Sequence, residues 1–425
     1  MVKVIKYTGQ TADELFGKRD EISNNVEEAV KAIIADVRAN GDGALKKYAA
    51  KFDGYTGDSL EVSKREIDEA FAAIDEKYIK TLKNSIANIE NFHRNQLKNG
   101  FELNLGDRIV GQKVTPVESA GIYVPGGTAA YPSTVLMNAV PAKIAGVKYV
   151  FMATPVKADG KVRAEVLVAA SLCGVDRIFK MGGAQAIAAF AYGTESVPKV
   201  DKITGPGRDF VATAKKLVSG VACGIDMVAG PSEILVLADG FANAKHVAAD
   251  MLSQAEHDKI ASAILVTDSE ELANSVAMQL EKQVKLLERS EIAGTSLNNN
   301  CKIIVTDDLS AAVELSNEYA PEHLELVVKE PFKLLDKVKN AGSVFLGYNT
   351  PEAVGDYYAG PNHTLPTSGT ARFASPLGVD DFVKTTQYVY YSDSALKSAA
   401  DDIISFANSE GLGAHAESVA VRVKQ

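Results

Sequence analysis

Cysteine is scarce in this chain of 425 residues. The three thiols, Cys173, Cys223 and Cys301, are far apart in the sequence, and no two of them form a C-x-x-C pair. An odd number of isolated cysteines excludes a zinc site built from thiolates and argues against disulfides. Each cysteine lies in or beside an apolar run, and no basic residue is placed to activate it, so we expect buried, unreactive thiols.

Long apolar runs and basic stripes are also missing. The first residues contain no apolar run of signal-peptide length, and no later segment approaches the length of a membrane span. Lys and Arg number 45 against 55 Asp and Glu, which gives a formal net charge of −10, and aromatic residues are not interleaved with the basic ones. We therefore expect a cytoplasmic protein with no nucleic-acid partner and no membrane partner.

Histidine is the third scarce residue, with six in the whole chain, but its placement is informative. Four histidines fall in short polar segments that also carry acids: SQAEHD with His257, APEHLEL with His323, GDYYAGPNHTLP with His363 and SEGLGAHAES with His415. Neutral imidazole beside carboxylate suits a borderline metal such as zinc, or an acid–base site. The sequence therefore predicts an enzyme.

A repeated rhythm of short apolar runs and helical stretches fills the middle of the chain. It begins near Arg108, with runs such as GIYVP and KYVFMAT, and starts again after Gly230 with EILVLAD and SAILVTD. This pattern is typical of βαβ units in a parallel sheet covered by helices. A chain of this length also needs more than one core. The predicted fold class is α/β, with two incomplete Rossmann-like parallel sheets.

The chain divides into four predicted parts. A helical segment over 1–105 contains a helix from the capping box at Ser63 to about residue 98, on which His93 is expected to be solvated. The first Rossmann-like domain covers 106–230 and the second 231–373. A C-terminal part, 374–425, has a helix near 394–409 and a polar tail. The Gly- and Pro-rich stretch 347–390 is expected to be irregular and functional, because loops of that length usually are.

Several polar residues are candidates for a metal site. Gln254 and His257 are three residues apart on a predicted helix, so both side chains can reach one ion, although a polar helix end without a role fits equally. Asp356 and His363 lie in the irregular stretch, and His415 lies in the tail. Two nitrogen and two oxygen ligands from such a set suit Zn²⁺ and tolerate Mn²⁺ or Co²⁺.

An acid–base pair and two glycine-rich turns complete the candidates. Glu322 and His323 follow a proline at the start of a strand, where they could act as separate bases or form only a strand cap. GPGRDF (205–210) follows a strand and opens a helix, with Asp226 about twenty residues on, as in a dinucleotide fingerprint that lacks its third glycine. VPGGTAAYPS (124–133) is a second turn that can present N–H groups to phosphate, although such turns also arise for steric reasons alone.

Taken together, these segments resemble the histidinol dehydrogenase family from about residue 25 to 420. The stretches that carry the resemblance are GIYVPGGTAAYPSTVLMNAVPAKIAGV, GGAQAIAAFAYGTESVPKVDKITGPG, IDMVAGPSEILVLAD, LSQAEHD, NEYAPEHLEL, GDYYAGPNHTLPTSGTARF and EGLGAHAESV. The resemblance implies a homodimer that oxidises L-histidinol to L-histidine through the aldehyde. It also implies two NAD⁺ as co-substrates and one zinc ion per subunit, which holds the substrate.

The resemblance also implies a role for each matching residue. The zinc ligands would be Gln254, His257, Asp356 and His415, the last from the other subunit through a swapped C-terminal tail, and Glu322 and His323 would be the acid–base pair. The substrate would be contacted by Ser232, His323, His363, Glu410 and the zinc ligands, and the cofactor by Tyr123, Gln185 and the residue at position 208. The family usually has Asn where this chain has Arg208, which bears on NAD⁺ binding and on the choice between NAD⁺ and NADP⁺.

Three other interpretations compete with oxidation of histidinol. Relatives within the family oxidise other small alcohols, such as sulfonated diols, but Glu410 and His363 suit an amino alcohol that bears an imidazole. A zinc hydrolase with Glu322 as its base would have no use for the nucleotide turns. A binding protein without catalysis would need neither an acid–base pair nor those turns.

Overall fold

The structure is a computed structural model that describes residues 2–17, 24–126 and 130–424. Residues 127–129 of the predicted turn at 124–133 therefore lie outside the described residues. The chain forms two compact units, a larger one of Met1–Gln96 with Val117–Phe382 and a smaller one of Leu97–Pro116 with Val383–Gln425. Among the described residues, no helix combines the length and the hydrophobicity needed to cross a membrane.

The helices and strands are numbered along the chain. The strands are β1 (Val4–Lys6), β2 (Phe101–Asn104), β3 (Arg108–Pro116), β4 (Ser119–Tyr123), β5 (Tyr149–Thr154), β6 (Arg177–Lys180), β7 (Lys202–Thr204), β8 (Gly224–Ile225), β9 (Glu233–Ala238), β10 (Ser262–Thr267), β11 (Lys302–Val305), β12 (His323–Val327), β13 (Ser343–Leu346) and β14 (Val383–Tyr391). The helices are α1 (Ala12–Phe16), α2 (Asn24–Tyr48), α3 (Lys64–Ala73), α4 (Glu76–His93), α5 (Pro132–Ala145), α6 (Ala164–Leu172), α7 (Gly183–Tyr192), α8 (Asp209–Val218), α9 (Ala244–Ala255), α10 (Glu270–Gln283), α11 (Ser290–Asn299), α12 (Leu309–Tyr319), α13 (Pro331–Leu335), α14 (Glu352–Val354), α15 (Asp393–Ser409) and α16 (Gly413–Val423).

The larger unit contains two parallel sheets, as the alternating pattern predicted. The first has the order β6-β5-β4-β7-β8 and the second the order β1-β11-β10-β9-β12-β13. Central strands such as β9 and β12 are buried along their whole length, which explains their continuous apolar runs. In the first sheet, β5 and β6 are added on one side of β4, and β7 and β8 are then added on its other side. In the second sheet, β10 and β11 are added on one side of β9, and β12 and β13 on its other side. The α/β fold class with two Rossmann-like sheets is confirmed, whereas the four-part division stays a prediction.

The N-terminal region differs from its prediction in three ways. Strand β1 pairs with β11 at the edge of the second sheet, so this region is not helical throughout. The single helix expected from Ser63 is broken, because Ile74 is extended and Asp75 caps a new helix through the Lys77 N–H. His93 is fully buried rather than solvated, and its Nδ1 lies 2.7 Å from Gln96 Oε1.

The smaller unit is an antiparallel sheet, β14-β3-β2, with helices α15 and α16. The stretch 347–390, expected to be irregular, therefore ends in a strand, and the tail that carries His415 is helical. Of the residues described in this unit, those that are buried are small: Gly111, Ala395, Ala400, Ala416 and Ala420. Large apolar side chains such as Phe101, Val389 and Phe406 are more than half exposed. This unit buries too little apolar surface for a core of its own.

Candidate active site

A histidine and a glutamate meet where the second sheet changes direction, between the amino ends of β9 and β12. The Glu322 carboxylate accepts a hydrogen bond from the Glu233 N–H at 2.8 Å, and His323 Nδ1 lies 3.1 Å from the Glu233 carbonyl oxygen. Because a carbonyl only accepts, Nδ1 must carry the proton. Within the described part of the chain, His323 Nε2 has no hydrogen-bond partner. The backbone of β9 thus fixes the ring, and Nε2 can accept a proton whenever the imidazole is neutral.

Three carboxylates surround His323. Glu322 lies 3.7 Å from Nδ1, and Asp356 and Glu352 lie 3.6 and 3.8 Å from Nε2. Burial would lower the pKa of His323, but Glu352 and Glu322, followed by Asp356, outweigh it and raise this pKa well above its usual value. Burial raises the pKa of Glu322 to about 8 and that of Glu352 to about 7. Such a cluster favours a positive charge at its centre, either an imidazolium or a bound cation.

Asp356 is held by a helix that is remote in sequence. It lies in a π-helical turn, Gly355–Ala359, a geometry that is frequent at functional sites. Ser85 Oγ of α4 donates to the Tyr357 carbonyl at 2.7 Å, and Asn88 Nδ2 donates to the Tyr358 carbonyl at 2.8 Å. Burial alone would raise the pKa of Asp356, but the neighbouring His323 holds it below its usual value, and more distant histidines add to this effect.

His257 and His363 belong to the same surroundings. Burial lowers the pKa of both imidazoles, while the Asp356 carboxylate acts in the opposite direction on each. His257 lies two residues beyond the end of α9 rather than on it, and its N–H donates to the Gln254 carbonyl at 3.1 Å. The Asp356 carboxylate therefore acts electrostatically on His257 and His363, and Gln254 lies three residues before His257 in the chain.

The buried amide of Gln254 points to a ligand-binding role for this side chain. This side chain is 0% exposed, and among the described residues neither Oε1 nor Nε2 has a hydrogen-bond partner. A buried polar group left unsatisfied costs about 1–3 kcal/mol. Donor atoms of His323, Glu352 and Asp356 lie within 4.8 Å of one another, as a metal site requires. An amide oxygen, imidazole nitrogens and carboxylate oxygens fit a borderline divalent ion such as zinc.

Glu352 was missed by the sequence analysis. It is fully enclosed, and one atom of its carboxylate, Oε2, has no partner among the described residues. Its position four residues before Asp356, in PEAVGD, was the available signal, because that spacing places two side chains on one face of a helical turn.

The glycine-rich turn at 205–208 lies where the first sheet changes direction, between the carboxyl ends of β4 and β7. This crevice is where open α/β sheets bind ligands. An ideal Cβ on Gly205 would lie 2.1 Å from the Tyr123 carbonyl oxygen, and one on Gly207 would lie 2.3 Å from a methyl of Val211. The Tyr123 hydroxyl accepts a hydrogen bond from the Gly183 N–H at 3.1 Å, and Gln185 is buried two residues further on. Tyr123 and Gln185 thus lie together beside the turn.

Asp226 does not have the role that the fingerprint suggested. Its side chain is buried against Lys215 and accepts a hydrogen bond from the Gly205 N–H, so it cannot bind a ribose, and that interpretation is wrong. Arg208 is exposed and pairs with Asp258, the residue after His257. This ion pair joins the glycine-rich turn of the first sheet to the loop that carries a candidate metal ligand.

The other predicted residues are placed as follows. Ser232 is partly buried and directly precedes Glu233, at the amino end of β9. Glu410, at the end of α15, and His415, on α16, are exposed on the smaller unit. Cys173 and Cys301 are buried as expected, whereas Cys223 is only partly buried. Burial raises the pKa of Cys173 to about 12 and that of Cys223 and Cys301 to about 11, which disfavours a thiolate at each.

Two parallel sheets, a glycine-lined crevice at one direction change and a buried histidine–carboxylate cluster at the other define an α/β enzyme of the dehydrogenase type. The family model described as "Histidinol dehydrogenase" matches residues 17–423, and the chain belongs to this family of oxidoreductases. The sequence-based prediction of family and enzyme class is therefore confirmed.

Similar proteins agree over nearly the whole chain. The histidinol dehydrogenase of Lactococcus lactis is 51% identical over 99% of both chains, and that of Streptococcus mutans is 55% identical over 96% of both. The crystal structure of histidinol dehydrogenase from Elizabethkingia anophelis superposes with a TM-score of 0.95 at 37% identity, covering 100% of this chain and 98% of the other.

Proposed function

We propose that the protein carries out the final steps of histidine biosynthesis, the four-electron oxidation of L-histidinol to L-histidine through L-histidinal, with zinc and two NAD⁺. The observation that carries the proposal is the His323 ring. Its Nδ1 is fixed by a backbone carbonyl, and its Nε2 is left for a proton inside a carboxylate cluster. This arrangement suits removal of a hydroxyl proton. That the hydroxyl group belongs to histidinol is inferred from the family to which the chain belongs.

The residues present fit a zinc ion. Gln254, His257 and Asp356, with His415 of the partner subunit, would hold it, and the unsatisfied Gln254 amide supports this assignment. Of the three described residues whose ligand atoms lie within 4.8 Å of one another, Asp356 belongs to this set, and His323 and Glu352 would lie beside it. When bound, zinc would orient the amine and imidazole of histidinol. His363, Glu410 and Ser232 would contact the remaining polar groups of the substrate. Tyr123, Gln185 and Arg208 would contact NAD⁺ in the crevice between β4 and β7.

The two oxidations need two bases. In the first, His323 Nε2 accepts the hydroxyl proton while the carbinol carbon gives its hydride to NAD⁺, which forms the aldehyde. The surrounding carboxylates stabilise the imidazolium that results. In the second, Glu322, which ionises above its raised pKa of about 8, takes a proton from water as the oxygen attacks the aldehyde carbon. The hydrate then gives a second hydride to a second NAD⁺ and loses a hydroxyl proton, which forms the carboxylic acid. The first oxidation releases one NADH and one proton, and the second releases one NADH and two protons, because the carboxylic acid formed ionises.

A homodimer with shared sites and a cytoplasmic location belong to the same proposal. The exposed aromatic and apolar side chains of the smaller unit support the dimer, because a partner surface would bury them. His415 lies on a helix of that unit, and its neighbour Ala416 is buried there. A histidine exposed on this helix can contribute a ligand to the active site of a partner subunit in the homodimer.

One assay separates the candidate functions. Formation of NADH from NAD⁺ and L-histidinol in the presence of zinc, with two NADH per histidine formed, is the expected result. A family member specific for another small alcohol would reduce NAD⁺ with a sulfonated diol and not with histidinol. A zinc hydrolase or a binding protein would form no NADH from either.

We expect zinc removal to leave the fold intact. The cores of both sheets are apolar, with residues such as Ile234 and Val236 fully buried, and the candidate ligands lie outside these cores. Circular dichroism of chelated protein should retain the helical spectrum and a cooperative melt, and added zinc should restore activity. A chelated sample without a cooperative transition would contradict the positioning role assigned to the metal.

We expect Arg208→Asn to change the KM for NAD⁺ by less than about fivefold. The Arg208 side chain is 86% exposed, and an exposed ion pair such as that with Asp258 contributes about 0.2–1 kcal/mol. Asn, the residue usual in the family, keeps a hydrogen-bonding side chain for the cofactor. Asp258→Asn is the matched control, since it breaks the same pair from the other side. A hundredfold rise in KM for Arg208→Asn alone would show that the guanidinium itself is needed.

A further inference from the structure

A fully buried ion pair binds the backbone of Gly205, the first glycine of the glycine-rich turn. The side chains of Lys215 on α8 and Asp226 after β8 are 1% and 0% exposed and pair with each other. Lys215 Nζ donates to the Gly205 carbonyl at 2.8 Å, and Asp226 Oδ2 accepts from the Gly205 N–H at 2.8 Å. The second carboxylate oxygen accepts from the Met227 N–H at 2.6 Å. Both backbone groups of Gly205 are therefore bound by one ion pair.

Gly205 is the residue whose position matters most in this turn. Its φ of 113° lies in the region that side chains disfavour, and it is pressed against the end of β4, where an added Cβ would overlap the Tyr123 carbonyl. It follows β7 directly and precedes Arg208, the residue at the amino end of α8. A displacement of Gly205 therefore moves the glycine-lined wall of the crevice and the first turn of α8 together.

Stability alone does not account for a buried charge pair at this place. Removing two charges from water is costly, and well-packed apolar residues of similar volume are often as stabilising or more so. Apolar residues, however, cannot bind the N–H and the carbonyl of Gly205. What the ion pair adds is one defined conformation of the turn.

We propose that Lys215 and Asp226 are positioning residues that set the turn at 205–208 and thereby the affinity for NAD⁺. The inference rests on the proposed function, because it takes this crevice as the cofactor site. Neither side chain reaches the crevice surface, so both act through Gly205.

The test compares two double variants by calorimetric titration with NAD⁺. Lys215→Met with Asp226→Leu removes both charges and all hydrogen bonds to Gly205, whereas Lys215→Gln with Asp226→Asn keeps a donor and an acceptor. We expect the apolar pair to bind NAD⁺ at least about tenfold more weakly, and the amide pair to remain within about threefold of wild type. At saturating NAD⁺, kcat and the KM for histidinol should change less than twofold.

The control is the Arg177–Glu61 pair at the amino end of β6, on the opposite edge of the sheet from the turn. Arg177→Met with Glu61→Leu should leave NAD⁺ affinity unchanged. Wild-type affinity in the apolar Lys215/Asp226 pair would overturn the inference alone, while a wild-type protein that binds no NAD⁺ would overturn the proposed cofactor as well. If the apolar pair does not fold, the amide pair decides, and a tenfold loss there would overturn the inference.

Discussion

Glu322→Gln slows the oxidation of histidinal by about 10²- to 10⁴-fold, the usual range for a general base, and slows the oxidation of histidinol far less. Only the second step consumes water, and Glu322 is the carboxylate assigned to activate it. Glutamine has nearly the same shape, and its amide oxygen can still accept from the Glu233 N–H, so the fold is retained. The half-reactions are separated by supplying histidinal directly and following NADH in each.

The matched control for this experiment is Glu325→Gln. Glu325 lies on β12 three residues after Glu322, is also buried and also accepts a backbone hydrogen bond, from the Glu352 N–H at 2.7 Å. It has no assigned proton to move, so the ratio of the two half-reaction rates should stay at its wild-type value. Equal losses in both half-reactions for Glu322→Gln would contradict the division of work between Glu322 and His323.

The sequence predicted the sheets well because their signal is local. Helices such as α5 (Pro132–Ala145) alternate with strands, and the apolar runs of both sheets are strands. Glu322 and His323 were also placed correctly at a strand start. Each of these features depends on residues that are neighbours in the chain, through periodicity, capping or a flanking proline.

The contacts that complete the site could not be predicted because they are long-range. Ser85 and Asn88 hold the turn of Asp356 from about 270 residues away, and Glu322 binds the backbone of a strand 89 residues earlier. His93 looked solvated within a polar helix segment, yet other elements bury it completely. Asp226 had the spacing of a ribose-binding acid, but its partner is a lysine of the same domain.

The position of the candidate cluster around His323 also differs from the rule for open parallel sheets. That rule places ligands at the carboxyl ends of strands beside the direction change, and the first sheet fits it. In the second sheet the cluster lies at the amino ends of β9 and β12. At the carboxyl end of β9, the Asp239 carboxylate is instead bound by groups of the protein itself. It accepts hydrogen bonds from the Tyr348 hydroxyl at 2.9 Å and from the Lys329 N–H at 2.8 Å. Sheet topology alone would therefore have placed this site at the wrong edge.

Mixing two inactive variants, His415→Ala and His257→Ala, restores about a quarter of wild-type activity. If His415 serves the partner's site, a mixed dimer has one site with both defects and one site with neither. Random exchange of equal amounts makes about half of the dimers mixed, each with one intact site of two, which gives the quarter. His415 lies on α16 of the smaller unit and His257 follows α9 in the larger unit, and both side chains are exposed.

The measurement is NADH formation after subunit exchange, with the fraction of mixed dimers determined by native mass spectrometry. The control mixes His257→Ala with Asp356→Ala, two defects in the same proposed half-site. Each chain then lacks a ligand in its own site, so no dimer has an intact site and activity should stay at the background of the single variants. No recovery with His415→Ala once exchange is confirmed would place His415 in the site of its own chain, whereas recovery in this control would show that His257 and Asp356 do not serve the same site. The two mixtures differ because a site built from two chains is complete only when one chain supplies both His257 and Asp356 and the other chain supplies His415.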